Sequence, residues 1–137
     1  MRPLGIRPEV PLTDDQLRAL RVLEAYDLTP VRSRLVDDGA MPSSWVDEAL
    51  LEFRRFLGLQ VVAPGPRVMF SQHVDHVWHT CLLFTRLYAD YCQQAFGYFF
   101  HHEPETESQT DRQAQFPEFE KLYERIYGAP NRLWHMG

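Results

Sequence analysis

The chain has 137 residues and a formal net charge of -5, with 45% hydrophobic and 13% aromatic residues. That composition suits a globular protein with a real core and excludes a disordered one. The acidic balance disfavours a nucleic-acid backbone binder, which needs a basic stripe, and no apolar run reaches the ~20 residues that span a bilayer.

Residues 1–12 carry three prolines and read as an extended lead-in to a single helical domain covering residues 1–137. They hold no apolar stretch of signal-peptide length, so the cytoplasm is the expected location. Thr13, with Gln16 three residues on, forms a capping-box pattern ahead of Leu17, Leu20, Leu23 and Tyr26. Thr29-Pro30 starts a second, short helix that stops at Gly39. Pro42-Ser43-Ser44 opens a third, whose Trp45, Ala49, Leu50, Phe53, Phe56 and Leu57 recur at helical spacing. Pro64-Gly65-Pro66 forbids a helix, and the flanking Val61-Val62 and Val68-Met69-Phe70 suggest a small β-ribbon near 60–70. Ser71 caps a long helix over about 72–96, with Gly97 as its stop. Residues 98–115 read as loop, and a last helix starts near Phe116-Pro117 and ends at Gly128. The expected fold is all-α: about five helices around a long central one.

Five of the six histidines fall between Ser71 and Pro104, and histidine is both the neutral-pH titrating group and the commonest metal ligand. On a helical wheel, Val74, Val77, Trp78, Cys81, Tyr88, Tyr91 and Cys92 share one apolar arc, while Asp75, His79, Arg86 and Gln93 cluster at its edge. Asp75 and His79 stand at i and i+4, so they can meet. A carboxylate on one ring nitrogen fixes the tautomer and frees the other nitrogen as base or ligand. His79 and Asp75 are thus the candidate catalytic and metal-binding pair, with His102, His76 or His73 completing a shell. One distance opposes His102. On a straight helix His79 lies about 27 Å from Gly97, and five extended residues cover only about 17 Å. Arg86 has a simple structural role open to it, an ion pair with Asp90. Cys81 and Cys92 would sit roughly 16 Å apart on one helix, too far for a disulfide, which fits a reducing compartment.

The set Asp75-x-x-Trp78-His79, Tyr88, Cys92, Gly97 and His101-His102-x-Pro104 resembles the glycine-rich domain-containing protein-like family, as does the tail from Tyr123 to Trp134. The resemblance spans roughly residues 45 to 134. Many plant and fungal members carry W-H-x-H, where this chain has Cys81, and the glycine-rich region is absent here. The resemblance implies a fold and a candidate site, not a reaction.

Two functions follow from the residues. The first is a small metal-binding protein, in the stronger form a metal-dependent enzyme. A divalent ion such as zinc would sit on imidazole and carboxylate and activate water against a small-molecule substrate. The second is a non-enzymatic module for a protein partner, in which Asp75, Trp78 and His79 form a structural polar lock. Anion or nucleotide-fragment binding around Arg86 and His79 is a third option. No G-x-S-x-G, P-loop, H-E-x-x-H or C-x-x-C motif is present.

Overall fold

The computed structural model describes residues 2–103 and 108–137. Among these residues are six α-helices: α1 (Asp14–Ala25), α2 (Thr29–Asp38), α3 (Val46–Val62), α4 (Gln72–Leu83), α5 (Thr85–Phe96) and α6 (Gln109–Tyr127). Short 3-10 turns lie at Pro3–Gly5, Ser43–Trp45 and Arg132–Trp134. Among the described residues there is no strand, and no helix is long and apolar enough to cross a membrane.

Local signals set several boundaries as expected. The Thr13 hydroxyl accepts from the Gln16 N–H at 3.0 Å while the Gln16 side chain accepts from the Thr13 N–H at 2.9 Å, so two of the orphan donors at the start of α1 are satisfied. Gly39 and Gly97 end α2 and α5 in the left-handed conformation, at φ 67 and 77, where a side chain would be strained.

The centre of the fold is α3, not the 72–96 segment. Val46, Ala49, Phe53, Phe56, Leu57 and Leu59 are all but completely buried, and α3 packs on α1, α2, α4 and α6. Its Arg54 donates to the Leu23 and Tyr26 carbonyls at 2.7 and 3.0 Å, which satisfies acceptors at the end of α1. One acidic side chain is buried in it: Glu52 accepts from Trp134 Nε1 at 2.8 Å and from the Tyr123 hydroxyl, with Arg55 Nη1 at 3.2 Å. The C-terminal turn is thereby fastened to the central helix.

The expected β-ribbon is absent. Val61 and Val62 finish α3, and the segment after the turn spends its apolar side chains on α6. Met69 is buried, and the Phe70 ring lies 5.3 and 5.1 Å from those of Phe116 and Phe119. The last helix begins seven residues before Phe116, at Gln109. Ser108 caps it by accepting from the Asp111 N–H at 3.1 Å, and Pro117 sits inside the helix rather than at its start. Residues 2–12 pack onto the bundle. Leu4, Ile6 and Val10 are buried, and the Arg7 N–H donates to the Ile126 carbonyl at 2.8 Å.

The long helix is two helices. Phe84 adopts φ -91, ψ 71 and serves as both the C-cap of α4 and the N-cap of α5. Its N–H closes α4 on the Cys81 carbonyl at 3.0 Å, and its own carbonyl accepts from Tyr88 N–H at 2.9 Å to begin α5. Each half then has its own packing partner: α4 lies on α3 and α2, α5 on α1. The tertiary contacts of the two halves outweigh the continuous helical pattern, with no proline or glycine at the break.

Candidate functional site

Asp75 stands in the first turn of α4, where the helix dipole favours an anion. The turn itself is fixed by Ser71, whose buried hydroxyl accepts from the Val74 N–H at 3.2 Å. One turn on, His79 Nε2 lies 3.6 Å from Asp75 Oδ2. The other carboxylate oxygen, Oδ1, is 2.6 Å from His102 Nε2. A single carboxylate thus faces two imidazoles, one through each oxygen. The two rings stack on each other, 4.6 Å apart at 26°.

His102 reaches this place because α5 turns away at Phe84 and the chain doubles back after Gly97. Tyr88 holds the returning strand of chain: its hydroxyl accepts from Trp78 Nε1 at 3.0 Å and donates to the Phe100 carbonyl. Trp78 in turn stacks on Phe100 at 5.5 Å and backs the His102 ring at 4.1 Å. On the other side of His102, Nδ1 lies 3.2 Å from the Glu103 carbonyl, to which it donates. The three side chains are graded in exposure, 57% for His79, 31% for Asp75 and 11% for His102. The cluster is therefore anchored at His102 and open to solvent at His79.

Asp75, His79 and His102 each offer one ligand atom, all within 4.8 Å of one another. Metal–ligand bonds of about 2.0–2.2 Å place two tetrahedral ligand atoms about 3.3 Å apart. The 2.6 and 3.6 Å separations are to different oxygens of Asp75, so seating an ion on one ligand atom from each residue would need side-chain rotation.

The other candidates lie elsewhere. His76 Nε2 is 2.8 Å from Asp38 Oδ2 and ties α4 to α2. The Ala40 backbone N–H, then His76, hold the Asp38 carboxyl below the ordinary range. His73 sets its ring against the Trp45 edge at 5.4 Å, and His101 is exposed against Phe99. The break at Phe84 also takes Arg86 out of the expected row with Asp75 and His79. Arg86 is exposed on α5, and Asp90 is engaged by the Tyr26 hydroxyl at 2.6 Å and Gln94 Nε2 at 2.8 Å instead. Burial pushes the Cys81 thiol up to about 12 and raises that of Cys92 as well. Neither provides a thiolate at neutral pH.

A cleft of about 350 Å³ adjoins the cluster and shares Asp75 as part of its wall, together with Met69, Phe70, Gln72, Arg112, Gln113 and Gly137. Sequence reading passes over Arg112 and Gln113 because it takes 98–115 as loop. The pattern Ser108-x-x-Asp111 is the signal that would have moved the helix start.

No curated protein and no solved structure matches this chain. A family model described as UCP032817-like matches residues 21–123, a span that holds Asp75, His79 and His102. This corrects the resemblance to the glycine-rich domain-containing protein-like family. Several of the residues that suggested it serve the fold: Trp78, Tyr88 and Cys92 are buried, and Gly97 makes a helix stop. With three quarters of its length matched, the chain belongs to the UCP032817-like family.

Proposed function

We propose that this chain is a divalent-metal protein with Asp75, His79 and His102 as ligands and open coordination positions on the His79 side. One observation carries the reading: both nitrogens of the His102 ring face oxygen acceptors, Glu103 O at 3.2 Å and Asp75 Oδ1 at 2.6 Å. A neutral imidazole has one proton for two acceptors. With Nδ1–H donated to the carbonyl, the Nε2 lone pair is aimed at a carboxylate, and either a second proton or a cation must sit between them. A backbone carbonyl on the far nitrogen is the usual support of a metal-ligating histidine.

Two imidazoles and a carboxylate suit zinc or another divalent first-row ion, and three protein ligands leave room for water or substrate. Such an ion supplies a water that ionises near neutral pH and can attack a polar bond of a small-molecule substrate. The two free buried thiols accord with a reducing compartment, and the cytoplasm is the proposed location.

Elemental analysis of untagged wild-type protein beside His79→Ala and His102→Ala tests the reading. Near-stoichiometric metal in the wild type, lost in both variants, is expected. Metal-free wild type that takes up no zinc, iron or copper, with melting unmoved by chelator, would sink it. That result would favour the second reading, a structural polar lock in a partner-binding module. The observation behind that reading is the 11% exposure of His102 and its close packing against Trp78. The lock would then be built on His102 rather than on the exposed His79.

A further inference from the structure

We infer that the small molecule bound at the open side of the metal site carries an alkyl or aryl group beside its metal-binding group, and that Leu83 is the specificity-determining side chain that meets it. The inference rests on the metal reading above and adds a ligand class to it. Asp75, His79 and Leu83 stand at i, i+4 and i+8 on α4. Each is therefore turned only about 40° from the last around the helix axis, and Leu83 lies about 6 Å beyond His79 along it. Side chains of a helix lean toward its N-terminus and cover the turn before their own Cα. Leu83 thus covers the turn of His79, as His79 covers that of Asp75. Leu83 is 66% exposed, the most exposed large hydrophobic side chain among the described residues, and His79 is 57% exposed. A single exposed leucine is ordinary on a protein surface; the placement of this one carries the argument. His102 closes the cluster on the Trp78 side, which leaves the His79 edge, with Leu83 next along it, as the exposed approach.

The break at Phe84 decides the class of ligand. A continuous helix would carry the row from Asp75 and His79 on to Arg86 and give the site a cation for a phosphate or nucleotide fragment. Instead α4 ends at Leu83, and Arg86 stands exposed on α5. The last side chain of the row is therefore apolar. An ion that takes one polar group, with a leucine about one helical turn away, selects a molecule with a metal-binding head and a short hydrocarbon body. Each methylene laid against Leu83 leaves water and adds to affinity, whereas a sugar or phosphate body would lose hydration there without a polar partner.

The test titrates acetohydroxamate, butyrohydroxamate and hexanohydroxamate, one metal-binding head on alkyl chains of rising length, against cobalt-loaded full-length protein, followed by the visible spectrum of the cobalt. Affinity should rise with chain length, by about tenfold or more from the shortest probe to the longest. In Leu83→Ala the shortest probe should bind as it does to wild type, and the rise should shrink by at least about threefold. Leu83→Met, which keeps a long apolar side chain, should restore the rise. The exposure of Leu83 makes both substitutions mild for stability, and metal content should equal that of wild type because neither touches a ligand. Normal cobalt loading with a series that is flat, or that rises equally in Leu83→Ala, overturns the inference alone. Failure to load any metal overturns the reading beneath it as well, and is seen in the metal analysis before a probe is added.

Discussion

His102 Nε2 lies 2.6 Å from Asp75 Oδ1 across 27 residues of sequence. The contact exists because Phe84 interrupts what would otherwise be one continuous helix. Bringing the two residues together orders a long stretch of chain, an entropic cost that must be offset by packing. The offset comes from aromatic side chains: Trp78 stacks on Phe100 and packs at a tilt against His102, and Tyr88 bonds the Trp78 ring nitrogen. The polar cluster is therefore built on an apolar wall, and its members differ in what they contribute to stability.

That difference gives the first prediction. In metal-free protein, His102→Ala removes a ring packed on Trp78 and an acceptor-paired nitrogen, at a cost of about 1–3 kcal/mol. His79→Ala, at a site 57% exposed, should stay within about 0.5 kcal/mol of wild type. With metal present, both variants should lose most of their affinity for the ion. Urea unfolding with and without chelator measures both effects. Equal destabilisation by the two substitutions would show that the supporting role has been assigned to the wrong ring.

The sequence made much of this legible, and what it hid has a physical cause. Asp75, His79 and His102 were visible as residue types at suggestive positions, and the apolar arc from Val74 to Cys92 marks buried side chains at Val77, Trp78, Cys81, Tyr88 and Tyr91. The break at Phe84 was not visible, because a local pattern states helical preference and says nothing of which neighbour each half will meet. That omission made His102 seem out of reach and placed Arg86 in the wrong row. The start of α6 was misplaced for another reason. Pro117 is the stronger helix-start signal in isolation, and the Ser108 cap prevailed over it. His76 could equally have joined the cluster, and Asp38, remote in sequence, drew it away.

Glu52 carries the second prediction, away from the site. Its carboxylate is 1% exposed and is the shared acceptor for Tyr123 and Trp134 as well as the partner of Arg55. Glu52→Ala leaves Arg55 half-buried without its counter-ion and two aromatic donors unsatisfied, and should cost about 3–5 kcal/mol. Glu52→Gln retains an oxygen acceptor and should cost less. Chemical denaturation at fixed pH, with metal removed, compares them. If the alanine variant lost under about 1 kcal/mol, the tail would not depend on this carboxylate.

The third prediction concerns alkaline pH. Burial pushes Cys81 up to about 12, and burial, then Asp90, does the same to Tyr26. Burial also raises Tyr88, Tyr91, Tyr123 and Tyr127. Each of these groups is neutral when protonated, and each holds its proton more tightly in the folded chain than in the unfolded one. Their contribution to stability is therefore complete below the unfolded values, about 8.5 for cysteine and 10 for tyrosine. It falls as pH rises through that range toward the folded values, because the unfolded state then binds fewer protons than the native state. Unfolding free energy should decline from about pH 9 upward, and ionisation of the buried tyrosines should coincide with loss of helical circular dichroism rather than precede it. The thiols give an independent readout. In native protein at neutral pH, Cys81 and Cys92 should resist a thiol reagent and react fully once urea has unfolded the chain. Rapid labelling of both in the native state would mean that the α4–α5 core opens far more readily than its packing implies.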